Sequence, residues 1–240
     1  MKPTHVRRPR GFTLLETVIA IGVLAVLLTG FMIVFAPAAA GIRQSINVQQ
    51  ADRLASTLEQ ELVTTRTGDG NKTGFDKAFK WIEGANTKPE AILIYQYRGR
   101  LGVPNRNDGT PEPEINVKGK LPGEDYIVTT IARRKSDNEF TKDLPAVEGN
   151  VYLVKCTQLI FSTGAGGGLV AGTPGKINDP KGTGSAFTGS DNYPEAVIAF
   201  SAEFHMLPSK SASYFSGPAF TKRFTEAKSP VFTRNLAVRR

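Results

Sequence analysis

The stretch RRPRGFTLLETVIAIGVLAVLLTGF, Arg7 to Phe31, decides how the rest of the chain is read. After Gly11 it is apolar for about 25 residues, long enough to cross a hydrocarbon core as a helix, and it carries one carboxylate, Glu16. Lys2, Arg7, Arg8 and Arg10 precede Gly11 with no acid among them. The positive-inside rule then keeps residues 1–11 in the cytoplasm and sends the remainder across.

Three readings compete for this segment. A secretory signal peptide has the basic leader and an A-x-A-like cleavage site at APAAAG, Ala36 to Gly41. Its apolar run, however, is about twice the usual 7–15 residues and holds a glutamate. An uncleaved anchor explains the length and the orientation but leaves Glu16 as a charge in the apolar phase, at a cost of about 2.5–3.5 kcal/mol mid-bilayer and less near an interface. A cut between Gly11 and Phe12 supplies what the other two lack. It creates an ammonium at the membrane edge, with Glu16 the fifth residue after the cut. In a staggered array of such helices, the Glu16 of one subunit meets the ammonium of its neighbour, and each neutralises a charge that is expensive to leave unpaired.

RG-FTLLE followed by a long apolar run resembles the class III signal peptide of type IV pilins and type II secretion pseudopilins. Gly11, Phe12 and Glu16 match that pattern position for position. The resemblance implies that a prepilin peptidase cuts after Gly11 and N-methylates Phe12, and that Glu16 sets assembly and register. It also implies that other pilin or pseudopilin subunits, an inner-membrane assembly platform and membrane lipid are the partners. The expected location is a single inner-membrane span with its N-terminus cytoplasmic and its C-terminal domain periplasmic, followed by incorporation into a filament.

Past Pro37 the pattern turns amphipathic: Ile42, Ile46, Ala51, Leu54, Ala55, Leu58 and Leu62 form one stripe with polar residues opposite. A helix is predicted to about Arg66, where TGDGNKTG stops it. From Phe12 that makes about 80 Å. Gly30 and Pro37 bracket FMIVFA, and proline removes a helix hydrogen bond, so a kink or a local loss of helix is expected there. In the pilin family a comparable Gly-to-Pro stretch melts during assembly, although this proline lies a few residues later than in typical major pilins.

Four strands are predicted at 91–97, 126–132, 150–161 and 196–204, rich in β-branched and aromatic residues. A short helix at 74–83 carries Phe75, Phe79 and Ile82 at helical spacing, with Trp81 as a partly buried packing residue. The connections are not helical in pattern, which predicts an α+β fold: a long helix packed on an antiparallel sheet, matching the α/β roll expected of pilin heads. The organisation is thus a leader (1–11), a transmembrane half-helix (12–36), an amphipathic half-helix (37–66) and a β-rich head (67–240) with long loops at 99–125 and 162–194.

Composition excludes several chemistries. The net charge of +8 falls to +4 without the leader, and no aromatic-interleaved basic stripe marks a nucleic-acid surface. Arg133-Arg134-Lys135 reads as solvated surface. The single cysteine, Cys156, forms no internal disulfide and reads as a small buried hydrophobe. His5 lies in the leader and His205 at a strand end, so no catalytic triad or metal set stands out. The loops miss the phosphate-binding pattern, with Val170 where its first glycine belongs. Asp179 and Asp191 are oxygen donors without a spacing that demands calcium. No catalytic residue, cofactor or metal is expected. The function expected is a structural subunit, a minor or tip component of a secretion pseudopilus or pilus-like filament. The alternative is an exported or anchored periplasmic binding or enzymatic domain that uses residues 1–40 for export.

Overall fold

The computed structural model describes residues 13–68, 70–162, 167–181, 187–226 and 229–240; the side chains of 34, 36, 37 and 39–48 lie outside that description. Two compact units result, Met1–Gln50 and Ala51–Arg240. One helix, α1 (Leu14–Val63), supplies residues to both, and its helical backbone runs unbroken through Gly30 and Pro37.

Within the second unit, residues 51–63 of α1 present Ala51, Leu54, Ala55, Leu58 and Leu62 as one buried stripe, the portion of the predicted apolar face that the sequence places on the head. The side chains of Ile42 and Ile46, the rest of that face, lie outside the described residues. Helix α2 (Gly74–Gly84) starts where Thr73 caps it, its side chain accepting from the Asp76 amide. Its apolar residues Phe75, Phe79 and Ile82 are buried, and so is Trp81, at 6% exposure. Lys77 is buried too, donating to Glu61 Oε1 at 2.6 Å and to the Thr64 carbonyl at 2.7 Å. Arg66 closes on the same Glu61 carboxylate. The turn after α1 is therefore locked by charge-assisted hydrogen bonds, which are about twice as strong as neutral ones.

The sheet consists of β1 (Ile92–Arg100), β2 (Tyr126–Arg134), β3 (Val147–Phe161), β4 (Leu169–Ala171), β5 (Val197–Met206) and β6 (Phe232–Arg239). The strand order is β2-β1-β3-β5-β6, every pairing is antiparallel, and β4 adds to the far end of β3. The β1–β3 register shifts between Ile94 and Gln96, opposite the part of β3 that holds Gly149 at φ 65°. Gly149 takes the left-handed conformation there, which glycine adopts without steric cost.

Alternation along the strands sorts the core into two layers. Ile92, Ile94, Val154, Cys156, Phe200, Phe204 and Val238 join Leu58, Leu62, Phe79 and Ile82 on one face. Leu93, Tyr95, Tyr97, Val151 and Leu153 face the other way, onto Phe140, Phe215, Phe220 and Phe224. Those aromatics belong to three short helices, α3 (Asn138–Asp143), α4 (Ala212–Ser216) and α5 (Pro218–Thr225). A sheet covered on both sides explains why ILIY reads as an uninterrupted apolar run rather than an alternating one. The four predicted strands and the helix at 74–83 are present; β4, β6 and the second helical layer are additions. Within that layer α5 did leave a signal in the sequence: Phe220 and Phe224 stand four apart, and Pro218 follows Gly217 as a helix-starting pair.

Arg133 is not solvated surface, as its basic neighbourhood suggested. It is 3% exposed and lies at the centre of a buried ion cluster. Its guanidinium donates to Asp143 Oδ2 at 3.0 Å, Asp137 Oδ2 at 2.9 Å and Thr110 Oγ1 at 2.9 Å. Arg106, from the loop between β1 and β2, reaches Asp143 Oδ1 at 2.6 Å and Glu139 Oε2 at 2.5 Å. Tyr95 donates to Asp143 Oδ2 at 2.6 Å, and burial together with that carboxylate pushes the phenol well above its usual range. The loop itself is held by charges: Glu114 is buried and takes hydrogen bonds from Arg100 and Lys120.

Burial alone would raise the Asp108 carboxyl. Hydrogen bonds from the Thr110 hydroxyl and amide, together with Arg133, bring it down instead to about 2. A depressed folded-state pKa contributes stability that is present above the unfolded value, about 3.9 for aspartate, and is lost as pH falls through the folded one. The expected result is that Asp108→Asn destabilises the head at pH 6 and that the gap to the parent chain shrinks toward pH 2. Urea midpoints across that range, read by Trp81 emission, measure it; parallel profiles would refute it.

Candidate functional site

The N-terminal segment is built from the helix start. Thr13 caps α1: the Glu16 amide donates to Thr13 Oγ1 at 3.2 Å, and the Thr17 amide donates to the Thr13 carbonyl at 3.1 Å. Threonine at the cap and glutamate three residues on is the spacing of a capping box. The same placement puts the Glu16 charge in the first turn, where the helix dipole favours an anion by about 0.3–1 kcal/mol. Thr13 was not singled out from the sequence, although the T-x-x-E spacing was there to be read.

From Leu14 to Ile33 the helix is apolar over 20 residues, with a mean hydropathy of 2.3 and none of that span buried within the chain. At 1.5 Å per residue this is about 30 Å, the thickness of a bilayer's hydrocarbon core. Leu14 is 85% exposed and Ile33 70%. So large a continuous apolar surface is compatible with lipid or with neighbouring helices and not with water. Its hydroxyls are internally satisfied, since Thr29 Oγ1 donates to the Ala25 carbonyl at 2.8 Å, as a low-dielectric surrounding requires. A Cβ added at Gly22 or Gly30 would meet nothing within 4 Å. The chain's own packing therefore does not call for glycine at either position, whereas close helix–helix approach in a membrane does. Among the described residues Glu16 has no ion-pair partner. Gly11 and Phe12, the expected cleavage and methylation positions, lie outside the described residues.

Residues 6–32 match the family model of the prokaryotic N-terminal methylation motif. The chain carries a class III prepilin signal. With the antiparallel sheet behind an apolar helix, the signal is consistent with the type IV pilin and pseudopilin family, and it implies processing by a prepilin peptidase and assembly with other pilin subunits. The match spans the N-terminal segment and none of the head. Neither the curated proteins nor the solved structures give a significant match.

The prepilin signal accounts for the N-terminus; the remaining candidate residues lie in the head. Cys156 is fully buried on β3, and burial pushes its thiol up to about 12, far from a thiolate nucleophile at neutral pH. His205 is buried near the end of β5, with Glu203 Oε2 at 3.4 Å from its Nε2. Burial lowers its pKa, and the Glu203 carboxylate pulls the other way. The structure does not bring Cys156 and His205 into one constellation: Cys156 belongs to the core layer beneath α1 and α2, and His205 points with Leu153's layer. Asp191 pairs with Lys72 at 3.5 Å on the surface, and Asp179 accepts from the Lys181 amide. Among the described residues no three His, Cys, Asp or Glu side chains are grouped as a metal site.

Proposed function

We propose that this chain is a structural subunit, cut between Gly11 and Phe12, methylated on Phe12, and assembled through its N-terminal helix into a type II secretion pseudopilus or a type IV pilus-like filament. The observation that carries the reading is a prepilin signal laid on a wholly exposed apolar helix with one acid in its first turn. Exposure supplies the lateral contact surface, and Glu16 supplies a charge that only a second molecule's new ammonium completes. The chain waits in the inner membrane with its head on the periplasmic side and is drawn into the filament by the assembly platform, with Gly30 and Pro37 as the weakest points of α1. The FTLLETVIAI start, the QADRLA…LEQEL helix and the long irregular loops favour a minor or tip component. Its work is mechanical and templating, with no reaction of its own.

The mature N-terminus tests this directly. Sequencing and mass analysis of the protein from a native-like host are expected to give Phe12 carrying one methyl group. A start at Gly41 would instead indicate ordinary signal-peptide export and would remove the filament reading.

A further inference from the structure

The head's cavity of about 750 Å³ beside Trp81 has its charges paired with one another: Lys77 and Arg66 with Glu61, Arg106 with Glu139, and Arg133 with Asp137. What the head leaves open is the rim of its sheet. The order β2-β1-β3-β5-β6 makes β2 and β6 its two edges. An edge strand presents a row of N–H and C=O groups to any strand that comes alongside.

The β2 edge is closed over most of its length. The Lys135 amide donates to the Ala91 carbonyl and the Leu101 amide to the Asp125 carbonyl, in register, so the even-numbered residues of β2 turn their backbone groups outward. Of these, the Tyr126 carbonyl accepts from the Gly123 amide, the Arg134 carbonyl accepts from the Asp137 amide, and Ala132 is 1% exposed. Val128 and Thr130 remain. The β6 edge is different. The Arg240 amide donates to the Ala196 carbonyl at 2.8 Å, one step past the Val197–Arg239 pair. Alternation then directs Val238, Leu236 and Arg234 toward β5 and turns the N–H and C=O of Arg239, Ala237, Asn235 and Thr233 outward. All four are exposed. Among the described residues the outward groups of Asn235, Ala237 and Arg239 have no hydrogen bond, and the Thr233 carbonyl has only Arg234 Nη1 at 3.4 Å. Natural edges are blunted by proline, bulges or outward charge. From Thr233 to Ala237 the outward row has none of these, and the β5–β6 register runs without a shift. Arg239 ends the row as an exposed cation with no ion-pair partner among the described residues.

We propose that β6 is a docking edge onto which an edge strand of another pilin-type subunit adds, extending the sheet, with an acidic side chain set opposite Arg239. The inference rests on the filament assembly proposed above, which brings the heads of different subunits together. Backbone hydrogen bonds supply the affinity of such strand addition, and side chains supply the choice of partner. A second copy of this chain fits less well. Antiparallel pairing of two β6 edges sets Arg239 opposite Val231, Thr233 or Asn235, none of them an acid.

The probes are the pilin-type subunits encoded in the same genome, each co-expressed in turn with the full chain and purified with it in detergent. With at least one of them, residue-resolved hydrogen exchange is expected to slow by about tenfold or more at the Asn235, Ala237 and Arg239 amides, while Val128 and Thr130 on β2 exchange as in the chain alone. Ala237→Pro removes an outward N–H that the chain itself does not use, a position where an edge strand accepts proline. It is expected to keep the parent urea midpoint and the Phe12 start, and to return Asn235 and Arg239 to their unbound exchange rates. Arg239→Glu is expected to abolish the protection of Asn235 and Ala237 in the same way. A complex in which these amides exchange as fast as in the free chain, or protection that survives both substitutions, would overturn the docking edge. So would protection that arises in the chain alone as its concentration rises, the mark of β6–β6 pairing. A parent chain that starts at Phe12 yet shows such an outcome leaves the filament assembly standing; a parent chain that starts at Gly41 and captures no pilin-type subunit removes both.

Discussion

Asp143→Ala is expected to destabilise the head by about 3–5 kcal/mol, the cost of stripping one partner from a buried ion pair. The Asp143 side chain has no exposed surface and accepts from three groups at once, Tyr95, Arg106 and Arg133. Without it two guanidiniums of 5% and 3% exposure keep their charge and lose their shared counterion. Domains are stable by about 5–15 kcal/mol in total, so the loss is a large share of what is available. Tyr95→Phe, which removes one hydrogen bond to the same carboxylate, is expected to cost only about 1–3 kcal/mol. Urea denaturation of both variants in detergent, followed by Trp81 emission, measures the difference. An Asp143→Ala shift below that of Tyr95→Phe would mean that the guanidiniums find other partners and that Asp143 is not the hub.

Glu16→Gln and Glu16→Ala are expected to insert into the membrane as well as the parent chain and to lose co-purification with partner subunits. Insertion does not need the acid, since removing a carboxylate from an apolar span lowers the transfer cost. The glutamine variant is the discriminating one. The Thr13 cap uses the Glu16 backbone amide, and a capping box accepts glutamine in place of glutamate. If Glu16 served only to start the helix, Glu16→Gln would assemble normally. If it pairs with a neighbour's ammonium, both variants fail alike. Normal assembly of Glu16→Gln would end the charge-pairing account and leave a local helix-start role.

Much of the molecule was legible as one-dimensional pattern. The apolar run after Gly11, the stripe through Leu54, Leu58 and Leu62, and the β-rich segments around Ile92, Tyr126, Val154 and Phe200 are local periodicities, and local periodicity fixes element type. Strand β6 escaped because its apolar alternation is interrupted: Arg234 occupies an inward-facing position, where it ties to Asp52 on α1 through 182 positions of chain, and Ala237 an outward one. The helical layer over the second sheet face escaped because α3 and α4 are single turns, too short to show a period.

The prepilin signal needed no fold at all: residues 6–32 match the methylation motif directly along the chain, and the apolar run is continuous in sequence, so sequence alone determined that part. Arg133 shows the opposite case. Beside Arg134 and Lys135 it looks like solvated charge, and Asp137, four residues on, reads as an ordinary exposed partner for it. Its partners Asp108, Thr110 and Asp143 come from a loop before β2 and a helix after it, and burial converts them from scattered polar residues into one network. Which charges are buried, and which cavity they surround, is set by long-range contacts whose desolvation cost has no trace in local sequence. Only the tertiary structure decided it.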